Sequence, residues 1–174
     1  MPDLRAVAIS GSPRAPSKSK TLAELMLRSL AAAGCTTKII DLAELPAEAL
    51  VARAAAPELD AAIATVGAAH IVVAASPTYR ALYTGVMKCF FDLMPPSHLA
   101  KKICVPVQTA ASPAHFLAIE YGFGPLFASL DGIAIAGVYA TDAQFVTGGP
   151  DPALSARIES VSSAAVRLAR ASAV

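Results

Sequence analysis

Ala69-His70-Ile71-Val72-Val73-Ala74-Ala75, followed at once by Ser76-Pro77-Thr78-Tyr79-Arg80, is the stretch that decides the fold. An unbroken apolar run of this kind, closed by a proline, reads as a strand covered on both faces. Such strands belong to parallel sheets flanked by helices on either side. A weaker helical pattern over 59–66 leads into it. After it, Val86, Phe90, Phe91 and Met94 fall on one helical face that Pro95-Pro96 ends.

Working outward, residues 4–10 form a short apolar run closed by Gly11-Ser12-Pro13. Leu22, Leu25, Met26, Leu30 and Ala33 then mark a helix face, with Gly34 as its stop. Residues 36–40 read as a second strand, whereas 42–57 are Ala-rich and carry no period. A fourth strand is expected over 103–108 and a small-residue loop over 109–114. His115 then begins a helix to Leu130 that Gly122, Gly124 and Pro125 interrupt. A fifth strand covers 133–138. Beyond Gly148-Gly149-Pro150, Leu154, Ile158, Val161, Ala165 and Leu168 define a final amphipathic helix. Strands alternating with helices imply an α/β chain with a doubly wound, five-stranded parallel sheet in three α/β/α layers. Residues 1–174 are read as one domain, since no stretch resembles a linker.

Composition narrows the partners. Fourteen basic and thirteen acidic side chains give a formal net charge of +1, too small a field to draw nucleic acid or an anionic membrane. Apolar residues make up 55% of the chain against 16% charged, which excludes disorder and points to a surface covered in part by other subunits. Cys35, Cys89 and Cys104 show no Cys-x-x-Cys spacing and read as reduced, buried thiols rather than metal ligands. The N-terminal residues lack the basic start and long apolar region of a signal peptide, so the expected location is the cytoplasm.

In a doubly wound sheet, ligands bind beyond the C-terminal ends of the strands. The loop after the first strand runs from Gly11 to Thr21 into a helix N-terminus. Hydroxyls of Ser12, Ser17, Ser19 and Thr21, the Arg14 guanidinium and free helix N–H groups suit a phosphate there. Pro16 stands where a Walker loop needs its second glycine, and no Gly-Lys-Ser/Thr follows, which removes ATP hydrolysis. After the third strand, Pro77, Thr78, Tyr79 and Arg80 offer an aromatic and a cation to a flat heterocycle. After the fourth, Thr109, Ala110, Ala111 and Ser112 leave backbone N–H groups open to close approach. His115 behind them reads as a cap rather than a base. A phosphorylated, planar ligand satisfies all three loops, and FMN fits that description.

These residues resemble the NADPH-dependent FMN reductases, and among them the branch that serves two-component alkanesulfonate monooxygenases. The resemblance covers most of the chain. It is carried by Gly11-Ser12-Pro13-Arg14 with Ser17 and Ser19, Ser76-Pro77-Thr78-Tyr79, Thr84-Gly85-Val86-Met87-Lys88, the segment from Ala114 to Tyr121, and Gly137-Val138-Tyr139-Ala140-Thr141-Asp142. It implies a flavodoxin-like fold, FMN with NADPH or NADH, reduced flavin passed to an FMNH2-dependent monooxygenase, and a homo-oligomer, dimer or tetramer. It also implies that Tyr121 sits in a π-helical bulge at a subunit interface near the neighbouring flavin.

Two features depart from the family pattern. Ala110-Ala111 replaces a customary Gly-Gly beneath the flavin ring, and residues 41–57 hold no Arg cluster for a 2′-phosphate. Two alternatives stay open at this level: a quinone, azo-dye or chromate reductase that retains FMN, and a flavodoxin-type electron carrier. The near-neutral charge counts against the carrier, because docking to redox partners favours a strongly charged surface.

Overall fold

The computed structural model describes residues 3–147 and 149–172. The run quoted above forms β3 of a parallel sheet, and the elements leading to it are β1 (Arg5–Ser10), α1 (Lys18–Ala32), β2 (Thr36–Asp41), α2 (Ala47–Leu50), α3 (Pro57–Gly67) and β3 itself (Ile71–Pro77). Then come α4 (Gly85–Asp92), β4 (Ile103–Ala110), α5 (Ala118–Ala128), β5 (Ile133–Ala134), β6 (Val138–Thr141), a small antiparallel pair β7 (Phe145–Val146) and β8 (Gly149–Pro150), and α6 (Pro152–Ser172). The sheet runs β2-β1-β3-β4 and then β5, with β6 also paired to β4, and every pairing in it is parallel. This is the flavodoxin-like order.

Residues 71 to 76 of β3 are all buried, as a strand covered on both faces requires. Alternate side chains serve opposite layers. Val7, Ile9, Val72, Ala74 and Cys104 pack with Leu59 and Val66 of α3, Phe90 and Phe91 of α4, and Phe123 and Phe127 of α5. Ala6, Ala8, Ile71, Val73, Val105 and Val107 face Leu22, Met26 and Leu30 of α1 and Leu154, Ile158 and Val161 of α6. Four phenylalanines, Phe90, Phe91, Phe123 and Phe127, are fully buried in the first layer, each worth about 1.5–3 kcal/mol of apolar transfer. Phe123 and Phe127 stack at 5.6 Å between centroids. The sequence reading of buried thiols holds for Cys35 and Cys104, while Cys89 is half-buried. Burial pushes the Cys104 thiol up to about 12, so it stays protonated across the physiological range.

Three local expectations are corrected. The fifth strand is not continuous over 133–138: it breaks between Ala134 and Val138, opposite Pro106 of β4. Pro106 has no N–H to give a neighbour. At the break the Gly137 backbone comes so close that a Cβ there would lie 2.1 Å from the Pro106 carbonyl oxygen. Arg157 of α6 covers this gap by donating Nε and Nη2 to the Gly137 carbonyl at 3.2 and 2.9 Å. Second, His115 does not begin the long helix but ends a 3-10 turn, Pro113–His115. The helix then runs unbroken through Gly122, Gly124 and Pro125. Third, the patternless 42–57 contains a 3-10 turn at Leu42–Glu44, α2, and the Pro57 start of α3. Of the Gly148-Gly149-Pro150 loop, Gly148 lies outside the described residues, while Gly149 and Pro150 form β8.

Gly137→Ala is expected to force β6 away from β4 and to destabilise the protein by about 1–3 kcal/mol or more. Urea denaturation of the variant against the parent measures it.

Candidate functional site

The loops after β1, β3 and β4 meet over the C-terminal ends of those strands, and hydrogen bonds fix their mutual placement. The Gly11 N–H donates to the Ala75 carbonyl at 2.8 Å, carrying the β1–β3 pairing one residue beyond the strand. Thr84, almost fully buried, caps α4 by accepting from the Met87 N–H at 3.2 Å. Its hydroxyl donates to the Gly11 carbonyl at 2.5 Å, and its N–H donates to Ser76 Oγ at 3.0 Å. One threonine thus ties the first loop, the end of β3 and the start of α4 together. A Cβ on Gly11 would meet Met87 Cε at 2.6 Å and Met87 Cβ at 3.1 Å, so a larger residue requires the buried Met87 side chain to shift.

The first loop wraps the N-terminus of α1. Ser17 caps that helix by accepting from the Lys20 N–H at 3.3 Å, and its own carbonyl takes the Thr21 N–H. The first turn of α1 holds no acidic side chain, and the Lys18 and Ser19 N–H groups have no acceptor among the described residues. Those free donors and the helix dipole favour an anion. Ser12 bonds both ways with Arg14, donating to its carbonyl at 2.9 Å and accepting its N–H at 3.3 Å, which folds the loop inward.

Here the molecule opens a cavity of about 280 Å3 lined by Ser12, Arg14, Ser17, Pro77, Thr78, Tyr79, Thr109, Ala110 and Ala111. Thr78, Ala110 and Ala111 also line a second cavity of about 620 Å3, which adds Arg80, Ala81, Ser112 and His115. The two are one cleft: a small end at the helix N-terminus and a wider end over β3 and β4. Thr78 Oγ1 is buried beneath the cleft and has no hydrogen-bond partner among the described residues within standard geometry. Tyr139 closes one side by donating its hydroxyl to the Ser112 carbonyl at 2.7 Å.

The wide end rests on a tight turn. Tyr79 and Leu82 exchange backbone hydrogen bonds of 2.8 and 3.2 Å, with Arg80 at φ 51° and Ala81 at φ 67°. This is the type I′ geometry, which favours Asn-Gly; a non-glycine residue at positive φ stores about 1–3 kcal/mol of strain. The turn leans on α5, where Leu82 Cδ1 lies 2.6 Å from where a Gly122 Cβ would stand.

Eleven of the residues singled out from sequence therefore line one cleft: Ser12, Arg14, Ser17, Pro77, Thr78, Tyr79, Arg80, Thr109, Ala110, Ala111 and Ser112. Ser19 and Thr21 sit behind it. The Ser19 hydroxyl is fully buried at 2.9 Å from that of Ser17, and the Thr21 hydroxyl donates to the Ser17 carbonyl at 3.2 Å. Tyr121 lies outside the cleft, 75% exposed on α5. Its N–H donates to the Leu117 carbonyl, an ordinary α-helical bond, so the π-bulge that the resemblance implied does not form.

Sequence reasoning gave no role to Lys18 and Asp142, which also line the small end and pair at 3.0 Å. The signal was present. Lys18 follows the helix cap, and Asp142 follows a sheet strand on the ligand-binding side.

A parallel sheet in this order, with three loops converging on a small pocket at a helix N-terminus and a wider cleft beside it, defines a flavodoxin-like nucleotide-binding protein. The match to known proteins narrows the class. The chain belongs to the NADPH-dependent FMN reductase family, whose model matches residues 4–146. It is 32% identical over 145 residues to the FMN reductase (NADPH) of Escherichia coli K12, covering 82% of this chain and 76% of that one. It is 30% identical to the NADH-dependent FMN reductase SfnE of Pseudomonas putida, covering 95% of this chain and 92% of the relative. Among solved structures, the apo form of the NADH:FMN oxidoreductase EmoB superposes with a TM-score of 0.86 at 29% identity, covering 97% of this chain and 89% of that one.

Thr84→Val removes the donor to Gly11 and the α4 cap while keeping the shape of the side chain. It is expected to cost about 1–3 kcal/mol, whereas Thr84→Ser stays within about 1 kcal/mol of the parent. Thermal melts of the two variants test this.

Proposed function

We propose that this NAD(P)H-dependent FMN reductase draws FMN from solution into the cleft and hands the reduced flavin to a partner monooxygenase. The observation that carries the reading is the two-ended cleft with the unpartnered Lys18 and Ser19 N–H groups of α1 at its small end. In this reading Arg14, Ser17 and the α1 N–H groups hold the phosphate, with Ser12 shaping the loop and Ser19 and Thr21 fixing Ser17. Pro77, Thr78, Tyr79 and Arg80 border the ribityl chain and one side of the ring. Thr109, Ala110, Ala111 and Ser112 meet its other edge.

Bound FMN supplies the hydride-accepting chemistry. The protein's share is orientation and shielding, and no side chain serves as a nucleophile. Arg80 and the backbone at Ala110 and Ala111 line the wide end and would stabilise negative charge on a bound, reduced flavin. The methyls of those two alanines narrow the cleft floor relative to glycine. Both NADPH- and NADH-dependent reductases are among the relatives, so either dinucleotide is a donor to test.

Tyr121, with Phe116 and Leu117 at 55% and 47% exposure, forms an apolar surface on and just ahead of α5, near the wide end. A second copy of the chain covers it in this reading, in a dimer or tetramer. The resemblance to the alkanesulfonate branch supports both that assembly and the choice of a two-component monooxygenase as recipient.

Purified protein is expected to be colourless or pale and to oxidise NADPH or NADH rapidly only when free FMN is added, followed at 340 nm. A yellow protein that ignores added FMN yet passes electrons to a quinone overturns the proposal. Light scattering of the parent is expected to report a multiple of 17.7 kDa, and Tyr121→Asp to shift it toward that mass. A parent protein that is already monomeric removes the interface.

A further inference from the structure

The small end of the cleft contains a group that opposes the ligand assigned to it. Among cavity residues that are all hydroxyl, cationic or apolar, Asp142 is the one carboxylate in the described lining. Its Oδ1 lies 3.0 Å from Lys18 Nζ, and both side chains are about half exposed. Lys18 is the first residue of α1 and also stands over the Phe145 ring, 6.0 Å from its centroid.

Asp142 is held in place by its neighbours. It begins a 3-10 turn immediately after β6, and Thr141, which pairs with Ala110 on the cleft floor, opens that turn with a capping box to Gln144. The Thr141 N–H donates to Gln144 Oε1 at 3.0 Å. The turn fixes the Asp142 backbone beside the cavity, and the pair with Lys18 holds its carboxylate there.

We propose that Asp142 acts as a built-in competitor for the flavin phosphate and sets how readily FMN is exchanged. The inference rests on the reading that this cavity takes the phosphate. Arg14 and Lys18 alone would give the cavity two positive charges; Asp142 reduces that to one net charge and already occupies Lys18. An arriving phosphate must take Lys18 from Asp142 and remain beside the displaced carboxylate, so binding is weaker and departure faster. The penalty falls on the phosphate alone. It leaves the ring end, at Arg80, Ser112 and His115, unaffected, and this is the behaviour needed where flavin is a traded substrate instead of a resident group.

The test is a titration of flavin-free protein with FMN and with riboflavin, read by quenching of flavin fluorescence, for the parent and for Asp142→Asn. The amide keeps the shape of the side chain and removes the charge. Its FMN Kd is expected to fall about three- to tenfold at low salt, the scale of a half-exposed charge pair. Riboflavin affinity is expected to stay within error, and the FMN gain to shrink as salt rises. Unchanged or weaker FMN binding overturns the proposal, the latter by showing that Asp142 presents Lys18 to the phosphate. An equal gain for both flavins also overturns it, because the effect would then not pass through the phosphate. Parent protein that binds neither flavin removes the assignment of the cleft itself. Parent protein that prefers FMN, with a silent Asp142→Asn, removes only the role of Asp142.

Discussion

Everything at the ligand end of this sheet hangs on the crowding around Gly11. Its N–H is bonded to the carbonyl of Ala75, its carbonyl to the Thr84 hydroxyl, and the space where a side chain would begin is filled by Met87. The pairing of β1 with β3 therefore continues past the strands into the loops, and the start of α4 is drawn under them. Because Ser12 and Arg14 follow directly, the phosphate-sized pocket inherits its position from this one residue. Pro77 and Thr78 inherit theirs from the same contact through Ser76. The two ends of the cleft are spaced by a buried polar knot and not by the flexible parts of the loops.

How much of this could be read from the chain depended on whether the cause lay within a segment or in its neighbour. The β3 run announced a strand covered on both faces because residues 71–75 are all apolar, and they are buried as that composition demands. The helix faces of α1, α4 and α6 were equally plain in their spacing. The break in the fifth strand was less plain: it lies opposite Pro106 on the adjacent strand, and within residues 133–138 only Gly137 marks the close approach. Residues 42–57 failed for another reason. Their helical pieces are three or four residues long, too short to show a period.

The candidate site divides in the same way. The cluster of hydroxyls and one guanidinium before a helix cap was evident from residue types alone, and most of those side chains share one cavity. Ser19 and Thr21 look identical to Ser17 in a string of letters, yet the turn of α1 puts one inside the protein and the other behind its cap. The pairing of Lys18 with Asp142 joins opposite ends of the chain and exists only because β6 is parallel to β4. The regular hydrogen bond at Tyr121 shows the limit of inference by likeness: the resemblance implied a bulge, while the helix there is of the common form.

The interrupted fifth strand has a bearing on solubility. It lies at one border of the sheet, where a straight, unoccupied backbone would offer a template to another copy's strand. Its two pieces are two and four residues long, separated by residues 135–137, and the Gly137 carbonyl at the gap is taken by Arg157. Neither piece is long enough to nucleate intermolecular sheet growth. In a chain this rich in apolar residues, that side of the sheet offers no long, straight edge to another copy.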